Sequence, residues 1–165
     1  LARPLLGTAW SIRSICYYNL MQRYCEPYQP ETAKETLGLP LVDDFDMEAK
    51  PARANLKETA EFIEEGFRKA LSYNVSNEDF IFTSSVTKAY FARFFFWTQN
   101  WSNAITYAKE VLEKYPMLEA DEYGEAINQK QAKAHNVIIR SFTMDDELRN
   151  CTSRYKIKTC RQKFG

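Results

Sequence analysis

The sequence predicts a mostly all-α fold built from paired helices, and three observations carry that expectation. Four segments repeat their apolar residues at helical spacing. Two of these segments are separated only by Gln99 to Trp101, a link so short that it forces an antiparallel helical hairpin. Strand-like patterns are confined to the region beyond Met117, where Val137 to Phe142 is β-branched and apolar.

The first helix is expected from about Thr8 to Tyr24. Ile12, Cys16, Leu20 and Tyr24 form its apolar stripe, and Trp10, Tyr17 and Met21 widen it. The second begins after Asn55, a good N-cap residue with Glu58 three positions on, the spacing of a capping box. Its core positions are Leu56, Ala60, Ile63, Phe67, Ala70 and Leu71, alternating with charged residues. The third runs from Ser84-Ser85 to about Thr98 and is apolar on most sides, the mark of a buried helix. Core packing is expected of Phe91, Phe94, Phe95, Phe96 and Trp97 alike. The fourth covers about Ser102 to Tyr115, with Ala104, Ile105, Ala108, Val111 and Leu112 inward and Pro116 as its stop.

The hairpin of helices three and four fits a tetratricopeptide unit, about 34 residues of helix–turn–helix. Ala92 stands where the first helix of such a unit needs a small residue, and Phe95 fills its aromatic position. Trp101 closes the turn, Ala104 lets the second helix approach, and Lys88 departs from the usual Trp. Residues 25–54 form a long irregular insert that holds Pro27, Pro30, Pro40 and Pro51. Long loops in compact domains are usually functional.

These readings divide the chain at residue 118. Residues 1–118 form a tetratricopeptide-like helical region with its insert. Residues 119–165 form a polar helix over 119–134, a short β element and a basic tail. That tail holds Arg149, Arg154, Lys156, Lys158, Arg161 and Lys163 with no acid.

Composition excludes several classes of function. The chain has 22 Lys+Arg against 22 Asp+Glu, which argues against a dedicated nucleic-acid binder. A hydrophobic fraction of 45% with 5 Gly and 6 Pro excludes a disordered chain. No apolar run of about 18 residues is present to span a bilayer as a helix. The first residue is Leu and no signal-peptide pattern follows it, so any targeting segment is expected to lie outside this sequence. Of the four cysteines, Cys16 and Cys25 on one helix would stand roughly 13 Å apart, which leaves only Cys151 with Cys160 as a candidate pair.

Three ordered strings then resemble the signatures of SusD/RagB-type proteins, nutrient-binding outer-membrane lipoproteins of the Bacteroidota. The first is Tyr17-Tyr18-Asn19-Leu20, with Tyr24 and Pro27-Tyr28 following. The second is Leu37-Gly38-Leu39-Pro40-Leu41-Val42, then Pro51-Ala52-Arg53-Ala54-Asn55-Leu56 leading into Glu61-Phe62-Ile63. The third is Thr87-Lys88-Ala89 with Ala92-Arg93, then Asn100-Trp101-Ser102-Asn103-Ala104-Ile105 and Tyr107-Ala108. Cys25 stands where the family usually has Gly, and Ser14 where it has Ala. The resemblance covers about Thr8 to Leu118 of a family whose members are about three times longer. It implies a non-enzymatic protein that binds an oligosaccharide or peptide and works with a TonB-dependent, SusC-like transporter. A lipid anchor outside this chain would hold it at the cell surface. The alternative is a free-standing tetratricopeptide-like module that grips a peptide or partner protein.

No catalytic constellation supports an enzyme. One His cannot build a zinc site with scattered cysteines, and no phosphate-binding or nucleophile motif occurs. No cofactor and no metal are expected, and His135 and the acids Asp43-Asp44-Phe45-Asp46 read as solvated surface. The candidate ligand contacts are Tyr28 and Phe45, aromatic residues on the insert, where exposed rings make platforms for sugars or partners.

Overall fold

Capping chemistry fixes where most helices begin. In the computed structural model, which describes residues 2–42, 48, 50–76, 82–120 and 122, the element order is α1 (Ala2–Tyr24), β1 (Leu37–Pro40), β2 (Arg53–Asn55), α2 (Leu56–Ser72), α3 (Ser84–Trp97) and α4 (Trp101–Lys114). Asn55 Oδ1 accepts from the Glu58 backbone N–H at 2.8 Å, and Glu58 Oε2 accepts from the Asn55 N–H at 3.2 Å. That capping box satisfies two donors that would otherwise be orphaned at the start of α2. The Thr83 side chain accepts from the Val86 N–H at the start of α3, and the Asn100 side chain from the Asn103 N–H at the start of α4. α1 starts at Ala2 rather than Thr8, because Pro4 falls in the first turn, where its missing N–H costs nothing.

The bundle is two helical hairpins, α1 against α2 and α3 against α4, with α3 also lying on α2 and α1. Phe91 is at its centre, with ring centroids 4.2 Å from Phe95, 4.8 Å from Tyr107 and 5.1 Å from Phe67. Tyr18, Leu56, Ile63 and Phe94 complete the buried cluster. All the predicted core positions of α2 are buried or packed against this cluster.

The predicted stripe of α1 is on the wrong side. The buried residues are Gly7, Ser11, Ser14, Ile15, Tyr18 and Met21, whereas Ile12, Cys16, Leu20 and Tyr24 are exposed. Small residues win this face because they let the helices approach. Ser14 lies against Gly66 of α2, and Ser11 Oγ makes a 2.7 Å hydrogen bond with Thr87 Oγ1 of α3. Each of these two serine hydroxyls donates to its own helix, at Gly7 O and Trp10 O, so neither is stranded by its burial.

Two further corrections concern the second hairpin and the insert. Phe96 and Trp97 are exposed, as are Ile105 and Leu112 of α4. Successive helical residues turn by about 100°, so four consecutive aromatics cannot share one buried face. The insert, expected to be irregular, contains β1 and β2, which pair antiparallel with Leu37 opposite Asn55 and Pro40 opposite Arg53. An irregularity in the register between them accommodates the proline. Phe45, the acids beside it, His135, the strand over 137–142, the basic tail and the Cys151–Cys160 pair lie outside the described residues. Of the polar helix expected from residue 119, Ala120 and Glu122 are helical.

Candidate functional site

The insert is tied to the bundle along most of its described length. At its entry, Gln99 Nε2 in the α3–α4 turn donates to Tyr28 O at 3.0 Å and to Gln29 Oε1 at 3.2 Å. Ala33 is fully buried, and its carbonyl accepts from the Lys57 N–H in the first turn of α2. The Leu39 N–H donates to Thr59 Oγ1 at 3.0 Å, which seats β1 on α2. The Val42 N–H donates to Tyr17 Oη at 3.0 Å, and Arg13 donates to Val42 O at 3.1 Å, which seats the following residues on α1.

Arg53 closes this loop on itself. Its Nε donates to Gly38 O at 2.7 Å, and its Nη2 reaches both Leu37 O and Tyr24 O at 3.5 Å. The Tyr24 carbonyl is one of the unsatisfied acceptors at the C-terminus of α1, where a cation is favoured by the helix dipole. One planar, multi-donor guanidinium therefore joins the exit of the insert to its entry, a task a lysine could not perform. Burial pushes the Cys25 thiol beside it up from its ordinary value, against the opposing effect of Arg53.

A concavity lies on the α3–α4 hairpin. Ala92, Ala104 and Ala108 form its floor, and Arg93, Phe96, Trp101 and Ile105 its walls, around a volume of about 450 Å³. Phe96 and Trp101 meet edge-to-face with centroids 5.4 Å apart. The volume is in the range of small-molecule sites, but the lining offers few polar groups to orient a ligand. Among the described residues, no three His, Cys, Asp or Glu side chains come together as a metal site would require. No described helix is long and apolar enough to cross a membrane.

No protein-family model matches the sequence, and no curated protein matches it. Solved structures do match the fold. A SusD superfamily protein from Bacteroides vulgatus ATCC 8482 aligns with a TM-score of 0.68 at 19% identity, over 76% of this chain and 30% of that one. A SusD superfamily protein from Bacteroides thetaiotaomicron VPI-5482 gives 0.64 at 20% identity, over 73% of this chain and 27% of that one. The chain has a SusD-like fold. A SusD-like carbohydrate-binding protein from Bacteroides vulgatus ATCC 8482 shares it as well, with a TM-score of 0.60 at 17% identity over 73% of this chain. This chain spans under a third of the length of each of these proteins.

Within the SusD-like fold, Tyr28 is half-buried and packs against the core cluster. Burial raises its phenol above the ordinary value, and the carboxylates of Glu61 and Glu64 add to the shift. Its ring therefore helps to pin the insert while leaving one part in contact with solvent. Pattern reading assigns Phe96 to the core because it belongs to an aromatic run, and assigns Trp101 to packing of the repeat turn, whereas both are exposed. The consecutive placement of Phe94, Phe95, Phe96 and Trp97 was the available signal that some of them must face outward.

Proposed function

We propose that this chain acts in non-enzymatic nutrient binding at the outer membrane, taking an oligosaccharide or peptide and working with a TonB-dependent, SusC-like transporter. The observation that carries this reading is the SusD-like fold together with its insert, which the bundle holds at both ends. A loop braced this way loses little conformational entropy on binding, which is the physical requirement for a recognition loop. Tyr28 and Phe45, both on the insert, are the proposed ligand contacts. A lipid anchor outside this sequence would hold the protein at the cell surface.

A second reading, a free-standing tetratricopeptide-like module that binds a peptide, draws on the alanine-floored groove between α3 and α4. Small residues there leave room for the side chains of an incoming segment. Titration calorimetry of the full chain against panels of soluble oligosaccharides and peptides separates the two. Heat from a sugar, weakened several-fold by Tyr28→Ala or Phe45→Ala, supports the first reading. Peptide binding with no sugar response, lost in Ile105→Asp, supports the second. Silence with both panels sinks both.

A further inference from the structure

A cavity of about 170 Å³ lies where the start of α3 meets the end of α4 and the link that follows α2. Asn74 and Ser76 of that link, Ser84, Ser85 and Lys88 of α3, and Lys114 of α4 border it. Drug-sized sites begin at about 300 Å³, so the occupant of this one must be smaller. The hydrogen bonding at this end of α3 is incomplete. The Ser84 N–H donates to Val75 O at 2.7 Å, the Val86 N–H to Thr83 Oγ1 at 3.5 Å and the Thr87 N–H to Thr83 O at 2.9 Å. That leaves the Ser85 N–H, which meets no acceptor among the described residues. Ser84 Oγ is buried and also lacks a partner among the described residues. Thr8 Oγ1 is in the same state but does not border the cavity. A buried hydroxyl left without a partner is uncommon and calls for an explanation.

Charge selects the occupant. Lys88 Nζ is held by Glu110 Oε2 at 2.7 Å, which fixes its position and offsets part of its charge. Lys114 pairs with no carboxylate among the described residues, and its Nζ lies 5.3 Å from the centre of the Tyr115 ring. The 14-residue α3 brings the positive end of its dipole to the cavity, and Lys114, in the last turn of α4, offsets the negative end of the other helix. Free N–H groups and this field together are what holds anions at helix N-termini. A neutral molecule would gain from the hydroxyls but little from the two ammonium groups. We propose that this cavity binds a small molecule through an oxyanion, a phosphate or a carboxylate. Lys114, Lys88 and the Ser85 N–H meet the charged oxygens, and the Ser84 hydroxyl, whose hydrogen is free to rotate, completes the contact. This inference stands on the cavity alone and does not depend on the nutrient-binding reading.

The test titrates the full chain calorimetrically at low salt with glycerol phosphate, glycerate and glycerol, three ligands on one carbon skeleton. At least one of the two anions should bind saturably and lose affinity with added salt, with glycerol at least about tenfold weaker. A response to glycerol phosphate alone assigns the site to phosphate, and one to glycerate alone assigns it to carboxylate. A response to both assigns it to oxyanions in general. Lys114→Gln, at an exposed position, should weaken binding about tenfold or more, the usual loss for one charge-assisted hydrogen bond. Ser84→Ala should weaken it several-fold and leave the circular dichroism spectrum unchanged. Lys34→Gln removes the same charge from an exposed position on the insert and should leave binding as it is. In two-dimensional amide spectra of the unmutated chain, the Ser85 amide should be among those that move most on titration, a readout that no loss of stability in a variant can mimic. The proposal is overturned if neither anion binds, if glycerol binds as well as they do, or if the Ser85 amide stays in place. It is equally overturned if Ser84→Ala leaves binding intact, or if Lys34→Gln weakens it as much as Lys114→Gln.

Discussion

Gln99 holds a left-handed backbone at φ 60°, a conformation that favours glycine. It does so as the residue that ends α3, where the Asn100 N–H donates to Phe95 O and the Gln99 N–H to Phe96 O, the paired bonds of a Schellman motif. Its side chain explains why a glutamine occupies this position, because the amide reaches across to Tyr28 and Gln29. Gln99→Gly would relieve backbone strain of about 1 kcal/mol and remove hydrogen bonding of about the same size. We expect an unchanged urea midpoint and faster hydrogen exchange in residues 28–36, and a large shift of the midpoint would contradict this balance. Gly38 is constrained differently. A Cβ there would collide with Thr59 Oγ1 and lie 2.5 Å from Asn55 O, and the second obstacle is backbone that cannot rotate away. Gly38→Ala should therefore cost about 1–3 kcal/mol in urea denaturation, the usual penalty of overpacking.

Among the elements, α2 was the most legible in the sequence, and the reasons are local. Its cap, its charged face and its apolar stripe all point to one answer, and its Lys57–Glu61, Arg68–Glu64 and Lys69–Glu65 pairs follow helical spacing. Asn55→Ala should lower stability by about 1 kcal/mol, seen as a lower melting temperature, since the Glu58 N–H loses its side-chain acceptor while the backbone N–H at position 55 keeps its bond to Glu58. α1 defeated the same method because it is apolar on two opposite sides. Periodicity finds an apolar stripe but cannot say which of two neighbours will claim the core, and the choice fell to Ser11, Ser14 and Gly66 through close approach. The short strands were illegible for another reason. Leu37–Pro40 is only four residues long and ends in proline, and the pairing depends on the seat that Thr59 and Arg53 provide. Of the candidate site, the location of the insert could be read from its prolines, but its many ties to α1, α2 and the α3–α4 turn could not. Those contacts join residues as far apart in the chain as Gln99 and Tyr28, and no local pattern records them.

At the scale of the whole molecule, alkaline pH should loosen the fold. Burial raises Cys25 above its ordinary value of 9.0 and Tyr18 and Tyr28 above 10.0. Each group keeps its proton longer in the folded state than in the unfolded one. The stability this provides is present in full below the unfolded values and lost as pH rises through the folded ones. The urea midpoint should thus decline from about pH 9 upward, and Tyr18→Phe should flatten part of that slope. A midpoint that rises over this range would refute the assignment. The bundle also leaves apolar surface open on two sides, along α1 and at Phe96, Trp101 and Ile105. Patches of this kind bind hydrophobic dyes while the protein remains folded. Trp101→Arg with Ile105→Lys should reduce that dye signal and move stability by no more than about 0.5 kcal/mol.

The clasp that Arg53 makes between Tyr24 and Gly38 has a consequence for how such a chain can diversify. The insert leaves and rejoins the bundle at one place, so the Arg53 clasp fixes the two ends between which the chain of residues 42–53 runs. Closing a chain between two fixed ends becomes only about 0.6 kcal/mol costlier each time its length doubles. The segment beyond β1 can therefore be lengthened, shortened or exchanged between relatives with the core left untouched. New ligand preferences could be installed there by splicing rather than by redesigning the protein, provided that Arg53 and its carbonyl partners are kept.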